Sequence, residues 1–158
     1  MRQGKLLGIA RRGRPRAPME TIETVPVTVG AGIEGDYKGL RRGTSTGQRQ
    51  VTVLPIEGWR DACAELGAEL RWTIRRANLL VEGLDLKEQT GARLGIGDLL
   101  LEITGEVDPC ERMDAQAPGL TSALEPAWRG GVSCRVLRDG TIQIGDPIEL
   151  LPAEAPIA

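Results

Sequence analysis

The sequence contains no histidine, and that absence removes the side chain that most often serves enzymes as a general base. Neither a Ser-His-Asp triad nor a Cys-His pair can be assembled. Any chemistry falls to thiol, carboxylate, amine or phenol groups, or to a bound cofactor. Phenylalanine is also missing, and tryptophan and tyrosine together bring the aromatic share to only 3% of 158 residues. Leu, Ile, Val and Ala must therefore fill the core, and branched side chains of this kind suit a β-rich interior. Three widely spaced cysteines, Cys63, Cys110 and Cys134, are an odd number and make no disulfide framework. Without histidine they also fall short of the four ligands of a structural zinc site, so zinc is not expected.

Charge is nearly balanced, with 20 Lys and Arg against 22 Asp and Glu. No basic stripe is present, and a nucleic-acid partner is not expected. The longest apolar runs, such as Leu99 to Leu101, are far below the roughly 20 residues needed to cross a bilayer. The opening MRQGKLLGIARR has no apolar stretch of secretory-signal length. The expectation is a cytoplasmic protein without membrane contact, built as one domain with its core between about residues 23 and 151.

Several short segments read as strands: Lys5 to Ala10, Glu23 to Val29, Gln50 to Leu54, Asn78 to Glu82, Ala92 to Ile96, Asp98 to Thr104, Gly131 to Leu137, Thr141 to Ile144 and Pro147 to Leu151. Pro26 points to a strand edge or bulge. Gly97-Asp98 and Asp139-Gly140 read as hairpin turns, making the last three strands successive antiparallel neighbours. After Pro55, the spacing of Ile56, Trp59, Cys63 and Leu66 predicts an amphipathic helix that Gly67 stops. A second short helix is expected around Thr121 to Trp128. Many short strands with one strong helix favour a β-barrel or closed meander over a βαβ sheet.

The cysteines separate by position. Cys63 falls on the apolar face of the predicted helix, and Cys134 shares a strand face with Val132 and Val136, so both read as core. Cys110 stands in VDPCERM, after a strand and outside any apolar periodicity, which makes it the accessible thiol. A helical turn starting there, with Arg112 close by, would favour the thiolate, the form that attacks, carries sulfur or binds a soft metal.

Gly30, Gly32 and Gly35 form a literal G-x-G-x-x-G. No helix follows it within a βαβ unit, so NAD is not expected. The glycine-rich stretch from Gly30 to Gly47 is read instead as a long loop in which Lys38, Arg41 and Arg42, with Arg49 just beyond, could serve a phosphate. Arg75 and Arg76, just before Asn78, are also suited to an anion. The run Arg11, Arg12, Arg14 and Arg16 is read as a solvated loop.

Taken in order, GIEGD (32–36), RQVTVL (49–54), RRANLLVEGLDL (75–86), GARLGIGDLLLEITG (91–105), DPCERM (108–113) and RGGVSCRVLRDGTIQIGD (129–146) resemble the MOSC family. That family is named for the C-terminal domain of molybdenum-cofactor sulfurases. The resemblance implies a mainly β fold, an antiparallel Greek-key closed β-barrel with one or two short helices. It also implies binding of a molybdenum pterin cofactor (molybdopterin) or sulfur transfer, with the key cysteine at Cys110 as persulfide carrier or metal ligand. Arg76 and Asn78 match the Arg-Arg-Asn block near the cofactor pocket, and Asp36 matches the Gly-Asp of the long loop. Tyr37 and Lys38 stand where many relatives have Arg-His. The pyridoxal-phosphate domain of the sulfurases has no room here, so PLP is not expected.

Lys38, Arg42, Arg49, Arg76 and Arg112 are the basic candidates for holding the pterin phosphate and supporting the Cys110 thiolate. The implied partners are a cysteine desulfurase-like sulfur donor or a molybdoenzyme acceptor. Two other readings stand beside this one: a molybdenum-dependent reductase of N-hydroxylated compounds, which needs a separate electron-transfer protein, and a non-catalytic binding module.

Overall fold

The alternating apolar segments of the chain build strands, as seen in a computed structural model that describes residues 3–37, 49–109 and 112–153. Strands β1 (Gln3–Arg11), β2 (Glu20–Ile22), β3 (Thr24–Thr28) and β4 (Gly32–Ile33) lead to β5 (Val51–Pro55) and helix α1 (Ile56–Leu66). A 3-10 turn (Trp72–Arg75) precedes β6 (Leu79–Glu82), β7 (Arg93–Ile96) and β8 (Leu99–Glu106). Helices α2 (Arg112–Gln116) and α3 (Leu120–Leu124) and a second 3-10 turn (Pro126–Trp128) lead to β9 (Val132–Arg138), β10 (Gly140–Gln143) and β11 (Pro147–Leu151).

Seven strands close into a barrel in the order β11-β7-β8-β9-β5-β6-β1, with β1 pairing back onto β11 and β2 attached outside β1. Chain neighbours are often not sheet neighbours, as in β9 beside β5 and β1 beside β6, the crossed connectivity expected of a Greek key. Every ring pairing is antiparallel except β5–β6. A parallel pair needs a long crossover, and α1 with the Trp72–Arg75 turn supplies it. The expected barrel is therefore present, with three short α-helices among the described residues rather than one or two.

Leu6, Ile9, Leu79, Leu94, Leu101 and Ile103 fill the barrel with no exposed surface. A second apolar cluster lies outside the wall, where Leu54 and Leu80 meet Trp59 and Ala62 of α1, Met113 of α2, and Leu120 and Leu124 of α3. α1 ends at Gly67, whose φ of 65° is left-handed, and the N–H groups of Gly67 and Ala68 donate to the carbonyls of Ala64 and Cys63.

Two expectations about the strands are corrected. Asp139-Gly140 is not a hairpin turn, because β9 stays in the barrel while β10 leaves it to pair with β3 in a three-stranded sheet, β10-β3-β4. What requires glycine at 140 is close approach: a Cβ there would lie 2.3 Å from the Leu99 nitrogen. Pro26 sits in the central strand of that small sheet and not on its edge. It is tolerated because its carbonyl accepts from Glu34, just past the end of the two-residue β4, so its missing N–H faces the side where pairing has stopped. The helix expected from Thr121 to Trp128 breaks after Leu124, and Ala127 and Trp128 both take positive φ.

Candidate functional site

A bulge between Leu6 and Gly8 shifts the alternation of β1, so that Leu6 and Ile9 face the barrel core while Gly8 faces Trp72 outside it, and Arg12, the residue after the strand, is buried at 7% exposed. Arg14 and Arg16 are exposed, as expected of a solvated loop, and Arg12 is the member of the run that departs from that expectation. Arg12 is fixed from several sides. Its N–H donates to Asp36 Oδ1 at 3.0 Å, and its carbonyl accepts from the Tyr37 N–H at 3.0 Å. Its Nη2 donates to the Tyr37 hydroxyl at 3.1 Å, with the guanidinium 5.1 Å from the ring centroid.

Two polar atoms of this arrangement have no hydrogen-bond partner among the described residues, Arg12 Nε and Asp36 Oδ2, although both residues are more than nine-tenths buried. Unpaired buried polar atoms cost about 1–3 kcal/mol each, more when charged, so their persistence calls for a reason.

Arg12 lines an open cleft of about 360 Å³ together with Arg16, Thr73, Arg76 and Gln116. Three arginines from two chain segments thus line one hollow, with Gln116 of α2 beside them. Arg76 is half-buried and held at a left-handed φ of 65° as the cap of the Trp72–Arg75 turn. Neither Arg16 nor Arg76 has a side-chain hydrogen bond or ion pair to a described residue.

Arg75 does different work. Nearly buried, it donates from Nε to the Gly130 carbonyl at 3.1 Å and from Nη2 to the Val107 carbonyl at 2.9 Å. It thereby ties the chain leaving β8 to the chain approaching β9. Val107 also donates its N–H to Gly131 at 3.0 Å. On the far side, α2 is anchored by buried Met113 and packs against the Trp72–Arg75 turn. Val107 and Met113 are thus both anchored, and Met113 belongs to the helix that packs beside the turn leading to Arg76.

Cys110, Lys38 and Arg42 lie outside the described residues. Of the other expected site residues, Arg76 lines the cleft, and Asp36 stands behind it against Arg12. Asn78 is buried two residues beyond Arg76. Its Oδ1 accepts from the Thr52 N–H and hydroxyl, and its Nδ2 donates to the Ala10 carbonyl, so it clamps β1 to β5. Arg49 and Arg112 are exposed, at the approach to β5 and the start of α2, and neither lines the cleft. Arg12 and Arg16 were missed by sequence reasoning, and the period of β1 gives no signal for Arg12, because a bulge between Leu6 and Gly8 shifts its alternation.

The remaining cysteines differ in reactivity. Cys134 has no exposed surface, and burial, with the nearby Glu102 charge, pushes its thiol far above the ordinary range. It is core, as its strand face implied. Cys63 is only half-buried, packed against the outer cluster. Glu106, close to the segment of Cys110, is raised above the usual carboxylate value by partial burial and by Asp108. No three cysteine, aspartate or glutamate side chains among the described residues are grouped to hold a metal ion. No helix among them is long and apolar enough to cross a membrane.

Comparison with known proteins gives these features a context. The profile of the MOSC domain matches residues 27–149. YuaD from Bacillus subtilis has a similar solved structure, with a TM-score of 0.79 at 22% identity over 96% of this chain and 97% of that one. YiiM from Escherichia coli gives 0.70 at 16% identity, covering 98% of this chain and 73% of that one. YiiM from Geobacillus stearothermophilus gives 0.70 at 19%, covering 94% and 75%. At such identities these likenesses establish the fold. No curated protein matches the sequence. Because the profile spans well over half of the chain, and the closed barrel agrees with it, the chain belongs to the MOSC domain family, which is associated with molybdenum-cofactor-related proteins.

Proposed function

We propose that this protein acts in molybdenum-cofactor metabolism, binding the phosphate of a molybdenum pterin in the arginine-lined cleft and presenting Cys110 as sulfur carrier or metal ligand. The observation that carries this reading is the lining of one cleft by Arg12, Arg16 and Arg76, backed by the buried Arg12 Nε and Asp36 Oδ2, which have no hydrogen-bond partner among the described residues.

The donor set fits a phosphate-bearing group. Guanidiniums form charge-assisted, fork-shaped hydrogen bonds with phosphate oxygens, and Thr73 and Gln116 can add neutral donors. Asp36 keeps Arg12 oriented through the backbone bond. Cys110 lies two residues before α2, the helix that brings Gln116 to the cleft. A bound molybdenum pterin would supply oxygen-atom or sulfur chemistry at its metal.

On the carrier reading, the Cys110 thiolate attacks the outer sulfur of a donor persulfide. The new S–S bond leaves a persulfide on Cys110, and the donor thiolate departs with the electron pair of the broken bond. A cysteine desulfurase-like protein is the fitting donor and a molybdoenzyme the fitting acceptor.

The test is pterin, molybdenum and persulfide content after expression with an intact cofactor pathway. Wild type should retain pterin, Arg12→Ala and Arg76→Ala should lose it, and Cys110→Ser should lose persulfide or metal. Unchanged loading in all three variants would sink the assignment.

A further inference from the structure

A second cavity lies on the outside of the barrel, and the proposed cofactor chemistry does not use it. It is a groove of about 610 Å³ between α1 and the returning segment 67–72. That size falls in the range of small-molecule sites, about 300–1,000 Å³.

Its walls are pinned. The left-handed cap at Gly67 reverses the chain so that Ala68 to Trp72 run back beside α1. Trp59 then ties the two walls together, its Nε1 donating to the Leu70 carbonyl at 3.1 Å. Trp72 packs over Gly8 of β1, which fixes the far end of the returning segment to the barrel. The groove is therefore preformed, and a ligand entering it would pay little to order the protein.

Its lining is selective in chemistry. A chain with no phenylalanine and one tyrosine places two of its three tryptophans, Trp59 and Trp72, in this one groove. Ile56, Leu70 and Leu80 complete an apolar body. The charged residues of the lining are Arg60, Arg71 and Glu69, all exposed where the groove meets solvent. Neither guanidinium has a hydrogen bond or ion pair to a described residue. An apolar, aromatic trough edged by two free cations and one anion has net positive charge. It complements a molecule with an apolar body and one negative end.

We infer that this groove is a second ligand site, which takes a small amphipathic carboxylate, its apolar body against Ile56, Leu70 and Trp72 over the buried Trp59 and its charge at Arg60 and Arg71. Arginine suits the task because its fork matches a carboxylate. The uncharged analogue forgoes that pairing while burying the same apolar surface.

The experiment is calorimetric titration of the full chain with decanoate and with decanol, both well below micelle-forming concentrations. Decanoate should bind at one site, and decanol roughly tenfold more weakly. The Arg60→Gln/Arg71→Gln double variant should lose about the same factor for decanoate and none for decanol. Both changes are at exposed positions, so the fold should be unaffected. As a second readout, alkylation of Cys63, which lines the groove, should slow when decanoate is bound, measured by peptide mass in a Cys110→Ser background. Equal binding of the two probes, no effect of the double variant, no binding at all, or unchanged Cys63 alkylation would each overturn the assignment.

Discussion

Asn78 is where a residue's structural and functional demands can be separated. Its side chain bonds to Thr52 of β5 and to Ala10 of β1, and it is 1% exposed. Asn78→Ala removes these partners and strands the Thr52 N–H and the Ala10 carbonyl inside the protein. At about 1–3 kcal/mol for each stranded group, the loss should be roughly 3 kcal/mol, read as a lower urea midpoint at unchanged slope. A variant of native stability that nevertheless fails to load cofactor would instead place Asn78 at the ligand. Residue roles were legible where burial follows strand period, as at Cys134. They were not legible where a charged side chain is buried: Arg12 is buried against the usual preference of arginine, with its guanidinium against the ring and hydroxyl of Tyr37 and its backbone N–H held by Asp36.

Among the elements, the strands and α1 were readable from period two and from the spacing of three and four, because each has one face buried. The connections were less readable, since a turn dipeptide reports local conformation and not which strand comes next. Asp139-Gly140 shows this: the glycine answers the close passage of β10 over Leu99, and a hairpin is absent. Substituting glycines separates the two demands. Gly67→Ala places a side chain in open space at φ 65°, so the expected cost is the left-handed backbone penalty of about 1 kcal/mol. Gly140→Ala has ordinary φ but drives a Cβ into the backbone of Asp98 and Leu99, which cannot yield without moving the β7–β8 turn. Its loss should exceed that of Gly67→Ala by roughly 1–3 kcal/mol in denaturant unfolding, as overpacking does. Equal losses would mean that the turn shifts freely.

At the scale of the whole molecule, the cleft is built from parts far apart in sequence: the connection between β1 and β2 gives Arg12 and Arg16, the turn before β6 gives Thr73 and Arg76, and α2 gives Gln116. No local motif could announce such a site as a whole, although the paired guanidiniums of Arg75 and Arg76 and the family resemblance both pointed to Arg76. Because the barrel joins β1 to β6 and the outer cluster joins α2 to both, a ligand in the cleft holds together segments that separate only when the barrel opens. Its binding free energy should therefore appear as global stability. A ligand present at about a hundred times its Kd adds roughly 2.7 kcal/mol. For a protein of this size that corresponds to a rise in Tm of roughly 5–10 °C. Protein purified from cells with an intact cofactor pathway should melt higher by that amount than protein from cells lacking it. In Arg76→Ala the two preparations should melt together, near the cofactor-free wild type, since the Arg76 side chain has no hydrogen bond or ion pair to a described residue and its φ of 65° strains alanine much as it does arginine. If the wild-type preparations also melt together although pterin is bound, the ligand sits somewhere other than between these segments.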